Sequence, residues 1–207
     1  MTKQTPKAEI PDKRQQILCA AQRCFARYGF AKTTLDDIAA GVGMKKASLY
    51  YYYENKESIF RDVIEYESSQ LLKLLNERMV SCSSPEEKLR VFARTRIEYL
   101  QQTINLHDLS IQVILEVKPI IDRLFHSFQK TQVDYLSKIL EEGIQEGTFG
   151  PCEVSNTATA ILTVLEAVVL KEFQGTQVYS ANDIDYEKLQ SEMETILGLM
   201  IDGLKKS

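Results

Sequence analysis

Apolar residues recur at intervals of three and four along almost the whole chain, a spacing that predicts helix after helix. In DKRQQILCAAQRCFARYG, Ile17, Ala21, Cys24, Phe25 and Tyr28 share one stripe. Asp12 is the expected N-cap after Pro11, and Gly29 the expected C-terminal stop. Thr34 and Asp37 stand at capping-box spacing before Leu35, Ile38 and Ala39, and Gly41 and Gly43 close that short helix. A further short helix is expected over 45–53, so that two short helices flank a tight glycine-containing turn, the helix-turn-helix pattern. Asn55 then caps a long connector helix carrying Ile59, Phe60, Val63, Ile64, Leu71, Leu72, Leu74 and Leu75. In SSPEEKL, Ser84 is the N-cap, Pro85 the first helical residue and Glu87 the closing member of the box. Beyond it, helices are expected over about 86–103, 107–117, 119–146, 153–174 and 183–204, with Pro119 breaking or kinking the chain.

No period-two alternation is long enough for a strand, so the expected fold is all-α. It comprises a polar tail (1–11), a three-helix helix-turn-helix head (12–55), and a connector helix with a helical body (56–207). No run of about 18 apolar residues occurs, and the longest candidate, AILTVLEAVVL from Ala160, carries Glu166, so no membrane span is expected. The N-terminus has no apolar core of a secretory signal.

The segment KKASLYYYY raises the functional question. With about 100° of rotation per residue, Leu49 and Tyr53 face inward, Tyr50 and Tyr51 face outward beside the small Ala47, and Tyr52 sits at the margin. An outward aromatic and basic face suits the major groove: Ala47 allows close approach, Lys45 and Lys46 reach phosphates or guanine edges, and tyrosine hydroxyls donate to phosphate oxygens. Lysines at a helix N-terminus oppose the macrodipole, a penalty that a bound polyanion reverses. Lys56, Thr33 and Thr34, at helix starts, are candidate phosphate clamps. The same segment also reads as a solvated surface helix. Charge sharpens the choice: the net charge is −4, yet residues 1–60 carry +4 and the remainder −8. A basic head on an acidic body suggests that only the head faces an anion.

Other chemistry is thin. Cys19, Cys24, Cys82 and Cys152 form no C-x-x-C pair, and His107 and His126 are far apart. Free thiols in a reducing cytoplasm are therefore expected, with no metal and no cofactor. No nucleophile elbow or phosphate loop points to an enzyme.

GFAKTTLDDIAAGVGMKKASLYYYYENKESIF resembles the DNA-binding head of the TetR-type bacterial transcriptional regulators, over about residues 12–65. The resemblance rests on Gly29-Phe30, Thr33-Thr34, Ile38-Ala39, Gly43-Met44, Leu49-Tyr50 and Lys56-Glu57. Lys45 stands where a serine is common, Ala47 where a glycine is, and Tyr52-Tyr53 where His-Phe is, and these departures bear on which bases are read. The resemblance implies a cytoplasmic homodimer that binds a palindromic operator in double-stranded DNA through Thr33, Thr34, Lys45, Lys46, Ala47, Ser48, Tyr50, Tyr51, Tyr52 and Lys56. It implies a dimer seam through about 153–174 and 183–204, where Ala158, Ile161, Leu162, Leu165, Val168, Val169, Leu189, Met193, Ile196, Leu197 and Met200 are apolar beyond the needs of surface helices, though core burial explains them equally. It also implies a small-molecule effector in the body, with Tyr99, Gln102, Gln112, Glu116, Phe125, Phe128, Gln132 and Tyr135 on the helices around its pocket. Each of these also reads as core packing or a solvated face. Glu116 and Glu166 interrupt apolar runs and are either partners of a cation or surface residues, and His107 is expected to start or cap a helix. The expected activity is ligand-responsive repression, with activation or ligand-independent DNA binding as the alternative.

Overall fold

Helix caps set the boundaries of the first elements. In a computed structural model, which describes residues 12–107, 109–124, 126–175 and 183–205 and leaves the side chains of 122–128 aside, α1 spans Lys13–Lys32. Gly29 lies inside it at φ 75° and ends the regular helical path, as its glycine permissiveness allows. Asp12 occupies the N-cap position, but its side chain makes no capping bond. α2 (Leu35–Val42) opens on a complete capping box: Asp37 N–H donates to Thr34 Oγ1 at 3.2 Å, and Thr34 N–H donates to Asp37 Oδ2 at 2.9 Å. Gly43, at φ 69°, closes α2 in the left-handed conformation.

The next helix departs from expectation. α3 is Lys46–Leu49 only, and Tyr50 to Tyr52 continue as turns. The Leu49 carbonyl accepts from both Tyr52 N–H (2.9 Å) and Tyr53 N–H (3.1 Å), which tightens the path. A run of four tyrosines, weak helix formers, accounts for the early end. α4 (Lys56–Met79) starts at Asn55, whose side-chain oxygen accepts from Ser58 N–H at 2.8 Å.

The chain divides into two compact units, Met1–Val63 and Ile64–Ser207, with the boundary inside α4. The first unit is packed around buried Ile17, Phe25, Ile38, Leu49, Ile59 and Phe60. Phe60 meets Phe25 edge-on at 5.2 Å and Phe30 at 4.8 Å. α1 and α2 approach closely at Gly41, where an added Cβ would lie 3.2 Å from Ala20 Cβ.

The second unit adds α5 (Pro85–His107), α6 (Ile111–Leu124), α7 (His126–Gln145), α8 (Val154–Phe173) and α9 (Tyr186–Leu204). Its main core joins Leu71 and Leu75 of α4 to Leu89, Phe92, Leu136, Leu140, Leu162, Leu165, Leu197 and Ile201. A smaller cluster gathers Ile104, Ile111, Phe173 and Ile184. All described elements are helical, and one isolated antiparallel bridge, Phe149 to Lys205, ties the end of α9 to the segment after α7.

Two boundaries differ from the sequence reading. α6 runs through Pro119, which faces outward, where a proline's missing donor is most easily tolerated. His107 ends α5 rather than starting the next helix. α8 is long and apolar enough to cross a membrane by length and composition. In the fold, however, Ala158, Ile161, Leu162 and Leu165 join the protein core and Glu166 is ion-paired.

Gly143 is buried against the ring of Phe149, and a Cβ there would sit 2.1 Å from a ring carbon of a residue that is 1% exposed. Gly143→Ala is expected to lower stability by at least about 1–3 kcal/mol through overpacking. Gly203→Ala, where nothing lies within 4 Å, is expected to be neutral or to stabilise by up to about 1 kcal/mol. Urea unfolding followed by helical circular dichroism checks both.

Candidate nucleic-acid interface

The geometry of the four tyrosines follows from one anchor. Leu49 is fully buried and Tyr53 is 4% exposed, while Tyr50, Tyr51 and Tyr52 are 52%, 94% and 41% exposed. Lys45, Lys46, Ala47 and Ser48 are exposed as well. The segment 45–52 is thus an outward surface of amines, hydroxyls and aromatic rings fixed from behind. Exposed rings of this size are costly in water and signal a surface that meets something.

Tyr53 adds a second anchor that sequence spacing does not reveal. Its hydroxyl donates to Asp62 Oδ2 at 2.9 Å and accepts from Arg14 Nε at 3.2 Å. Arg14 Nη2 donates to the same carboxylate oxygen at 2.7 Å, and the guanidinium lies 5.1 Å from the Tyr53 ring centre. α1, the end of the α3 segment and α4 are thereby joined at one point. Burial first, then the hydrogen bond to Asp62, pushes the Tyr53 pKa up to about 12.

Several nominated residues are engaged internally. Thr33 is 1% exposed, its hydroxyl donates to the carbonyls of Gly29 (2.7 Å) and Cys24 (3.0 Å), and its N–H is bonded to Gly29 O. It therefore closes the end of α1 and is not available to a phosphate. Lys56 is a candidate phosphate clamp by its place at a helix start, but its amine is turned to the protein. Nζ donates to the carbonyls of Phe30 (2.6 Å), Thr33 (2.9 Å) and Ala31 (3.2 Å) and lies 4.5 Å from the Phe30 ring centre. This ammonium satisfies orphan carbonyls at the α1 C-terminus. Thr34 is exposed but its hydroxyl donates to Asp37 Oδ2 at 2.6 Å. Lys46 Nζ donates to Asp36 Oδ2 at 2.8 Å, which raises its pKa, in a pair that solvent reaches on both sides. Lys45 forms no ion pair among the described residues.

The body candidates separate in the same way. Gln102 is exposed, and Gln112 and Glu116 are exposed partners one turn apart on α6, with Gln112 Nε2 donating to Glu116 at 3.0 Å. These three do not face an interior. The Tyr99 hydroxyl donates to Glu67, and that of Tyr135 donates to Asn76 Oδ1 at 3.0 Å, so both hold α4 within the second unit. Phe125 lies outside the described residues, as does the side chain of Phe128. Among the described candidates, Gln132 alone is enclosed, at 1% exposure. Glu166, of the two acids singled out in the sequence, is the partly buried partner of cations: Lys118 Nζ lies 3.0 Å and Arg96 Nη2 3.7 Å from its carboxylate. The four cysteines are unpaired.

Comparison with known proteins places this geometry among relatives. Residues 17–63 match the model of the family described as bacterial regulatory proteins, tetR family. The chain is 24% identical over 195 residues, 91% of its length and 93% of the relative's, to the uncharacterized HTH-type transcriptional regulator YhgD of Bacillus subtilis. Over 52 residues, 25% of this chain and 28% of the relative, it is 48% identical to the biofilm operon icaADBC HTH-type negative transcriptional regulator IcaR of Staphylococcus epidermidis. A crystal structure of a transcriptional regulator from Cytophaga hutchinsonii superposes with a TM-score of 0.70 at 29% identity, over 94% of this chain and 99% of that one.

The Tyr53 clamp gives a pH signature. A folded pKa of about 12, above the unfolded value of about 10, means stability that is complete below pH 10 and lost as pH rises toward 12. Tyr53→Phe is expected to cost about 1–2 kcal/mol near pH 8. Thermal unfolding of both proteins from pH 8 to 12 is expected to show that gap closing at the alkaline end.

Proposed function

The chain belongs to the tetR family of bacterial regulatory proteins, and on that premise we propose that it is a transcriptional repressor that binds a palindromic operator as a homodimer and is released by a small-molecule effector. The observation that carries the DNA-binding part is the surface of 45–52, where Tyr50 and Tyr51 face solvent over a buried Leu49. The segment 45–52 presents Lys45, Lys46, Ala47, Ser48, Tyr50, Tyr51 and Tyr52 to the major groove, and the capped start of α2 at Thr34 lies toward the phosphates. The role of Lys56 is positioning: it holds the end of α1 against the start of α4. The negative sign is supported by the relative from Staphylococcus epidermidis, a negative transcriptional regulator whose likeness covers 52 residues of this chain.

The homodimer runs through α8 and α9. Supporting it, α8 leaves Ala160, Thr163 and Ala167 exposed, and α9 leaves Leu199 70% exposed, on helices that pack on each other. A second copy covers these apolar groups and sets two recognition segments about 34–36 Å apart, one turn of duplex. α4 is continuous from Lys56 to Met79, so effector binding in the body acts on the head through it. Reciprocity then requires that operator weaken effector binding by the factor by which effector weakens operator binding.

Selection of duplexes from a random pool, followed by anisotropy titrations, tests this reading. A palindromic consensus is expected, with affinity falling steeply as salt rises, and a pool that shows no enrichment would contradict it. Tyr51→Ala and Lys45→Ala are each expected to weaken the selected operator by about 1–3 kcal/mol, roughly five- to 150-fold. Asp36→Asn, which frees Lys46 and removes a negative charge beside the duplex, is expected to tighten binding to all sequences.

A further inference from the structure

Two contacts fix how α5 and α7 align. Lys88 pairs with Glu142, and the Phe92 ring stacks on Tyr135 with centroids 6.0 Å apart. Moving forward along α5 therefore moves backward along α7, so the two helices are antiparallel. One turn on from Phe92 is Arg96, and one turn back from Tyr135 is Gln132. The Arg96 guanidinium carbon lies 5.7 Å from the Phe92 ring centre, which keeps it at this level. Arg96 also reaches Glu166 of α8, which Lys118 of α6 contacts in turn. Polar groups from α5, α6, α7 and α8 thus converge in one layer of the second unit, with apolar Phe92, Leu136 and Leu162 each one turn away on their helices.

The layer is not self-satisfied. Nη1 of Arg96 and both amide atoms of Gln132 are enclosed without a hydrogen-bond partner among the described residues. Buried polar atoms of this kind each cost about 1–3 kcal/mol when unpaired, and native proteins pair nearly all of them. The donors in question are a guanidinium N–H and an amide NH₂, and the one acceptor is Gln132 Oε1. Glu166 is already faced by two cations, so an added cation would be repelled where an added carboxylate is welcomed.

We infer that this layer is the effector site and that its ligand is a small organic acid, whose carboxylate accepts from Arg96 Nη1 and Gln132 Nε2 and whose apolar remainder lies among Phe92, Leu136 and Leu162. A hydroxyl beside the carboxylate would satisfy Gln132 Oε1. The ligand class rests on the effector reading proposed above, whereas binding of the acid stands on the layer alone.

Thermal unfolding of the full chain, followed by circular dichroism, is run with octanoate, benzoate and salicylate and with the neutral octanamide and benzamide. At least one acid is expected to raise the midpoint where its amide does not. Gln132→Leu is expected to leave the midpoint of the free protein unchanged or raised, since it removes an unpaired amide, and to weaken the acid roughly ten- to a hundredfold. Arg96→Met is expected to weaken it as much. No response to any acid, equal protection by amides, wild-type affinity in Gln132→Leu, or a lowered midpoint of that variant without ligand would each overturn the site. Anisotropy with the selected operator separates the two readings. A protein that binds operator but ignores every acid loses this site and keeps its DNA-binding role. One that binds an acid through Gln132 but ignores DNA keeps the site and loses the regulator.

Discussion

The burial of Leu49 and Tyr53 beneath three exposed tyrosines is the constraint on which the account of the head depends. A helix as short as α3 has no stability of its own, because nucleation costs are not recovered within a single turn. Its conformation is imposed by the side chains that turn inward. Leu49 enters the apolar core, and Tyr53 enters a charged clamp with Arg14 and Asp62. What faces outward is then decided by geometry: amines at the start, a small residue between them, hydroxyl-bearing rings at the end.

α4 is where each unit takes hold of the same helix. Within the first unit, Lys56 caps the carbonyls of α1 and Asp62 joins Arg14 and Tyr53. Within the second, Tyr99 bonds Glu67, Tyr135 bonds Asn76, and Arg78 Nη1 reaches Thr95 at 3.1 Å and Glu98 at 2.5 Å. The polar residues that sequence inspection assigned to a ligand or to phosphate are, in several cases, the fastenings of this helix.

How much of this was legible in the sequence follows the range of the interactions. Caps and turns are local, so Thr34 with Asp37, Gly43, Asn55 and Ser84 were readable, and the inward and outward faces of 45–53 followed from helical rotation alone. The family resemblance rested on those same local features. Long-range pairs leave no spacing signature, so Lys56 on α1 carbonyls and Arg14 on Tyr53 and Asp62 were invisible, and Lys56 was assigned to phosphate instead. Thr33 was misread for a related reason: a hydroxyl that closes a helix end looks the same in sequence as one that greets an anion. In the body, Gln112, Glu116 and Pro119 fall at i, i+4 and i+7 along α6, an outward stripe that helical spacing does specify and that assigning Gln112 and Glu116 to a pocket overlooked. Pro119 was overweighted because packing decides whether a proline interrupts a helix.

The most direct test of the central claim is acetylation of tyrosines by N-acetylimidazole, read by peptide mass spectrometry on free protein and on protein saturated with its selected operator. The account predicts that Tyr50, Tyr51 and Tyr52 react in the free protein and are shielded by DNA, while Tyr53 stays inert in both. Equal reactivity of Tyr51 with and without operator, or a Tyr53 as reactive as Tyr51, would contradict it.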